Sequence, residues 1–84
     1  MVVIMLKEVK QNIYKRNGKG WQLVNTITDP ARVYESLAAC LRARYIFRSP
    51  WITRLEERPA YTEHGGRYTT VYQSNGVKYE FLTD

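Results

Sequence analysis

One histidine and one cysteine in 84 residues are too few for most metal centres, because a structural zinc needs several thiolate or imidazole ligands converging. His64 and Cys40 have no ligand-spaced partners, so neither a metal nor any other cofactor is expected. A lone cysteine has no second thiol for an internal disulfide. That fits a reducing compartment, and the cytoplasm is the expected location. The parts for nucleophilic catalysis are also missing. His64 lies in a Glu-His-Gly-Gly loop, while Ser36, Ser49 and Ser74 fall in a helix, a helix exit and a hairpin turn. Glu56 and Glu57 point to opposite faces of a strand, which separates their carboxylates. The chain is therefore read as a non-enzyme. There is no long apolar run either: Met1 to Leu6 is shorter than a signal-peptide core or a membrane span, so no membrane partner is expected. No repeat, linker or low-complexity tract is present.

Negative charge is also scarce. Eight acids face thirteen cations, giving +5 at pH 7, and eight of those cations are arginine. That balance suits phosphate or carboxylate recognition, although a modest positive excess also serves solubility. Seven tyrosines and two tryptophans supply flat rings beside this charge.

A chain of this length makes one domain, 1–84, with a stability of a few to about 12 kcal/mol. Its one convincing helix is Pro30 to Tyr45. Thr28-Asp29 can cap it, Pro30 suits the first helical position, and Arg42, Arg44, Arg48 and Pro50 favour an end between Arg44 and Ser49. Helical spacing puts Val33, Tyr34, Leu37, Ala38, Leu41 and Tyr45 on one apolar sector, with Cys40 at its edge as a small buried hydrophobe. Everything else reads as strand. The expected fold is α+β, in the order β-β-α-β-β-β, with a four- or five-stranded, mostly antiparallel sheet and the helix packed on one face.

The run from Val2 to Ile27 makes a hairpin, for which a loop of Asn17 to Gly20 pairs Tyr14 with Leu23 and Ile13 with Val24. This is preferred to a two-residue Asn17-Gly18 turn. Trp51 to Arg58 is the third strand, with Trp51, Thr53, Leu55 and Glu57 facing the core. Thr62 to Gly66 breaks the chain before a strand from Arg67 to Gln73. An Asn75-Gly76 turn then pairs Tyr72 with Tyr79 and Thr70 with Phe81 on the face covering the helix. The expected core is Val33, Leu37, Leu41, Trp21, Leu23, Leu55, Tyr72, Tyr79 and Phe81.

Two basic groups carry the functional expectation. Lys15, Arg16 and Lys19 lie at a hairpin tip beside Trp21, a setting in which cations contact phosphates and an indole stacks on a base. The Gly-rich tip is not a P-loop, since it joins two strands and lacks the longer pattern ending in Lys and Ser or Thr. The second group, Arg42, Arg44, Arg48, Arg54 and Arg58, runs from the helix end into the third strand, with Arg54 and Arg58 on the face away from the helix. A salt-bridge ladder with Glu56, Glu80 and Lys78 is the competing reading. The expected function is non-catalytic nucleic-acid binding through Lys15, Arg16, Lys19, Trp21, Arg44, Arg48, Arg54 and Arg58. The alternative is a protein-interaction module, an inhibitor or adaptor, that binds an acidic partner surface or self-associates through a sheet edge as a homodimer. In size and layout the chain resembles the small single-helix α+β accessory proteins of phages and mobile elements. It carries no RNP1-type aromatic signature, no GXXG between helices and no zinc-knuckle spacing.

Overall fold

The structure, a computed structural model, describes residues 9–60 and 65–83. The stretch 2–8 of the expected first strand, and the part of the Thr62 to Gly66 break that holds His64, lie outside the described residues. Five strands and one helix follow in the order β1 (Lys10–Asn17), β2 (Gly20–Ile27), α1 (Pro30–Tyr45), β3 (Ile52–Pro59), β4 (Arg67–Gln73) and β5 (Val77–Thr83). All five strands join one antiparallel sheet in the order β2-β1-β5-β4-β3. The fold class is therefore the α+β arrangement expected. Because β2 and β3 are the two edges, α1 carries the chain from one edge to the other across a single face.

The helix begins and ends where its sequence signals lie. The Asp29 carboxylate accepts a hydrogen bond from the Ala31 N–H at 3.3 Å, and Pro30 fills the first turn without leaving a donor unsatisfied. At the other end the N–H groups of Ile46 and Phe47 both donate to the Arg42 carbonyl at 2.9 Å. Arg48 then adopts φ 51°, and the Ser49 N–H donates to the Ala43 carbonyl at 2.7 Å, which turns the chain away.

The buried face of α1 keeps the expected Val33, Leu37 and Cys40 but not the rest of the expected sector. Val33, Cys40 and Ala43 are buried, with Leu37 packed against them, whereas Tyr34 and Tyr45 are exposed and Leu41 is only half-buried. The helix has rolled so that its small side chains meet the sheet. Cysteine and alanine allow close approach of helix to sheet, and a tyrosine there would hold the two apart. The core beneath is Ile52, Val71 and Phe81, flanked by Val9, Ile27, Leu55 and Tyr79.

Two β-bulges and one turn account for the other departures. The β1–β2 register keeps Tyr14 opposite Leu23 as expected, but Ile13 faces Asn25, which leaves Val24 as an extra residue. Asn25 and Ile27 therefore stay on the helix side, while Trp21 and Leu23 lie on the outer face and are not core. The loop itself is only Gly18-Lys19, with Gly18 at φ 61° as a II′-type turn requires. In β3 an extra residue at Thr53 puts Ile52 on the helix side, buried, together with Leu55; Thr53 is exposed, and Trp51 precedes the strand and is also exposed. The Thr53 hydroxyl donates to the Tyr72 carbonyl at 3.2 Å across this bulge.

The last hairpin pairs Tyr72 with Lys78, Thr70 with Glu80, Val71 with Tyr79 and Thr69 with Phe81, one residue out of the expected register. A type I′ turn needs positive φ at both central residues, and only Gly76, at φ 78°, has it. The connection is instead the three-residue Ser74-Asn75-Gly76, closed by Gly76 N–H donating to Gln73 O at 3.4 Å and Val77 N–H to the Asn75 side chain at 3.2 Å. Tyr72 consequently faces outward, and Tyr79 and Phe81 face the helix.

Cys40, buried under the helix, has its thiol pushed up to about 11 by desolvation. At pH 8 the folded protein then holds roughly a hundredfold less thiolate than a free cysteine would. Labelling by Ellman's reagent should accordingly be slow in buffer and become fast in urea. The unfolded thiol ionises first as pH rises, so folding stability should fall from about pH 9 to about 11. Comparison of wild type with Cys40→Ala by urea melts at pH 8 and pH 10.5 isolates that component; an equal loss in both proteins would refute it.

Candidate functional site

The two bulges and the three-residue turn together set which side chains meet on the outer face of the sheet. One row crosses all five strands, running Leu23, Tyr14, Lys78, Tyr72, Arg54 through successive antiparallel partners. The neighbouring row runs Thr26, Asn12, Glu80, Thr70, Glu56, and the next places Tyr68 opposite Arg58. Beyond the first row, toward the hairpin tips, lies the pair Arg16 and Trp21. The backbone bond from Arg16 N–H to Gly76 O, 2.8 Å, ties the two tips together.

These rows interleave rings with cations. Lys78 stands over Trp21 at 4.7 Å, Tyr14 at 5.1 Å and Tyr72 at 5.7 Å from their ring centroids. Arg54 covers Tyr72 at 4.3 Å, Arg16 covers Trp21 at 4.8 Å and Arg58 covers Tyr68 at 4.8 Å. Trp21 and Tyr72 meet edge to face at 6.1 Å, although β2 and β4 are not neighbours in the sheet. Around them Arg16, Trp21, Thr53, Arg54 and Tyr72 line a shallow hollow of about 500 Å³.

The acidic row supports the arginines. Arg54 Nε lies 3.1 Å from Glu56, and Arg58 lies 3.6 Å from Glu80. Glu80 also accepts from the Asn12 amide at 3.4 Å. Exposed pairs of this kind are each worth less than about 1 kcal/mol, so they orient the guanidinium groups without locking them away. The Arg54 pKa is raised, chiefly by its hydrogen bond with Tyr72, with the Glu56 charge acting in the same sense. That of the Tyr14 hydroxyl is also raised, first by desolvation and then by the Glu80 charge, so the ring stays neutral on this face.

The eight expected site residues separate under this geometry. Arg16, Trp21, Arg54 and Arg58 converge on the outer face. Lys15, opposite Val77, belongs to the helix-side set, and Lys19 lies in the turn itself. Arg44 and Arg48 lie at the end of α1, on the helix side of the sheet, with Arg44 over Tyr45 at 5.9 Å. Sequence reasoning missed Tyr14, Tyr68, Tyr72 and Lys78. A three-residue reading of Ser74-Asn75-Gly76 brings Tyr72 to this face, opposite Lys78. A second hollow, of about 360 Å³, lies between α1 and β1 and is lined by Gln11, Tyr79, Arg32 and Glu35 among others; buried Gln11 Oε1 has no hydrogen-bond partner there.

Among the described residues no three His, Cys, Asp or Glu side chains gather into a group able to hold a metal ion, and no helix is long and apolar enough to cross a membrane. No protein-family model, curated protein or solved structure matches the chain.

Proposed function

We propose that this protein binds single-stranded nucleic acid, without catalysis, on the outer face of its sheet. The observation that carries this reading is the row of rings and cations, in which Tyr14, Trp21, Tyr72 and Tyr68 alternate with Lys78, Arg54, Arg16 and Arg58 across neighbouring strands. Rings spaced along a sheet offer stacking platforms for unpaired bases, and guanidinium groups between them meet the phosphates that link those bases. The cation-on-ring contacts are worth about 0.5–1 kcal/mol at exposed sites, less than the about 1–3 kcal/mol of a stacked base. A strand can therefore displace a cation from a ring and recruit it as a phosphate contact in the same movement. The surplus of +5 draws the polyanion toward the sheet.

Fluorescence anisotropy with a labelled 15-nucleotide oligothymidine and its RNA counterpart, from 50 to 300 mM salt, tests this directly. Four phosphate contacts give a slope of log K against log salt near −3. Arg54→Ala should lower that slope by about 0.7, whereas Trp21→Ala should weaken binding about 5- to 150-fold at constant slope, because stacking releases no counterions. Arg44→Ala with Arg48→Ala, on the other side of the sheet, should leave the slope unchanged. Absence of binding at micromolar protein and low salt removes the proposal.

A further inference from the structure

The roll of α1 turns an apolar stripe away from the sheet, exposed at Tyr34 and Tyr45 and half-buried at Ala38 and Leu41. Tyr34, Ala38, Leu41 and Tyr45 follow the i, i+4, i+7, i+11 spacing of one helix face, and that face is turned away from buried Val33, Cys40 and Ala43. It continues past the helix end into Ile46 and Phe47, which are 68% and 73% exposed, while Tyr45 is 62% exposed. A contiguous apolar run of this kind on a small domain marks an interaction surface.

We infer that its occupant is a second copy of this chain, whose α1 packs antiparallel against the first about a two-fold axis near Ala38. The charges at the rim single out this occupant. Glu35 and Arg42 lie two helical turns apart on the same flank of the stripe, both exposed, with no ion pair between either of them and another described residue. A two-fold axis through an antiparallel pair brings each flank against its own copy, so Glu35 meets the second copy's Arg42 and Arg42 meets its Glu35. The midpoint of Glu35 and Arg42 lies within one residue, about 1.5 Å, of the midpoint of Tyr34 and Tyr45. One axis therefore centres both the charge pairs and the apolar stripe. Ala38, close to that axis, lets the helices approach, and Leu41 has room beside the second copy's Ala38. The two helix dipoles also oppose each other in this arrangement.

The stripe spans 12 of the 16 helical residues, about 18 Å, and such a contact falls at the small end of specific interfaces, for which we expect a dimer Kd on the order of 10 µM. The interface uses the helix side alone, so each outer face stays free.

Sedimentation velocity on the full chain, stripped of nucleic acid in high salt and examined from 2 to 300 µM in 50 mM salt, should show a monomer–dimer equilibrium. Glu35→Arg alone and Arg42→Glu alone should each raise Kd about tenfold. The double variant should return it to within about threefold of wild type, an outcome that loss of helix stability does not produce. Leu41→Arg should abolish the dimer; circular dichroism establishes that it folds, and if it does not, the exposed charge swap decides the matter. A monomer throughout the range, a dimer indifferent to these changes, or a double swap that fails to recover Kd overturns the inference. A dimer indifferent to them but broken by Val24→Lys would place the contact at the β2 edge instead.

Discussion

Phe81→Ala should remove about 3–5 kcal/mol of folding stability, about a quarter or more of what a domain of this length commonly has. The ring has no exposed surface. It stands on β5, the central strand, between Gln11 of β1 and Thr69 of β4, and meets Tyr79 edge to face at 6.0 Å. Truncation leaves a void bounded by two strands and by Val33 and Cys40 on the helix, elements that cannot all collapse inward at once. Urea and thermal melts followed by circular dichroism should show the loss, with a fall in Tm of about 15–30 °C at the usual conversion for small domains. Leu41→Ala supplies the contrast. The wheel alone assigns Leu41 to the core and a cost of about 2–5 kcal/mol, but the side chain is half-buried on the solvent side, and the expected loss is under about 2 kcal/mol. If Leu41→Ala proved the more damaging of the two, the roll assigned to α1 would be incorrect.

That contrast shows where the sequence is informative. The bounds of α1 are legible because Asp29, Pro30 and Pro50 act through local geometry that no distant contact overrides. The bounds of β4 and the outward direction of Arg54 and Arg58 are legible for the same reason, since alternation within a short strand is local. What is hidden depends on a single inserted residue. Val24 and Thr53 each add one residue to a strand, and every side chain beyond the insertion changes face, so Trp21 moves from expected core to the outer face and Ile52 moves the other way. A pattern of period two reads the same on either side of a bulge.

The Asn75-Gly76 turn has the same effect by another route. Asn-Gly satisfies a two-residue turn and a three-residue loop equally well, and the choice between them decides whether Tyr72 lies with Phe81 or with Lys78. The candidate site was therefore half legible. Its arginines and Trp21 stand out by charge and type, whereas three of its four rings wait on register. The helix roll is hidden for a different reason. Hydrophobicity ranks tyrosine and leucine above alanine, but close packing against a sheet selects for smallness, and Cys40 and Ala43 meet that demand.

Gly66→Ala should destabilise the fold by about 2–4 kcal/mol, the largest effect expected of any single added methyl group at a described glycine. Gly66 adopts φ 112°, a region that L residues enter only under strain of about 1–3 kcal/mol. Space compounds the strain, because a Cβ there would lie 2.8 Å from the Thr83 carbonyl oxygen, a backbone atom fixed by the pairing of Arg67 with Thr83. The Gly66 carbonyl also accepts the Ala60 N–H at 3.0 Å, so relief by backbone rotation breaks the closure between the end of β3 and the start of β4. Gly65 is the internal control. It too has a positive φ, 72°, but a Cβ there meets nothing within 4 Å, and its substitution should cost only about 1–2 kcal/mol. Chemical denaturation of both variants separates conformational strain from collision. A Gly66→Ala protein no less stable than Gly65→Ala would mean that the Thr83 end of β5 does not close against the start of β4.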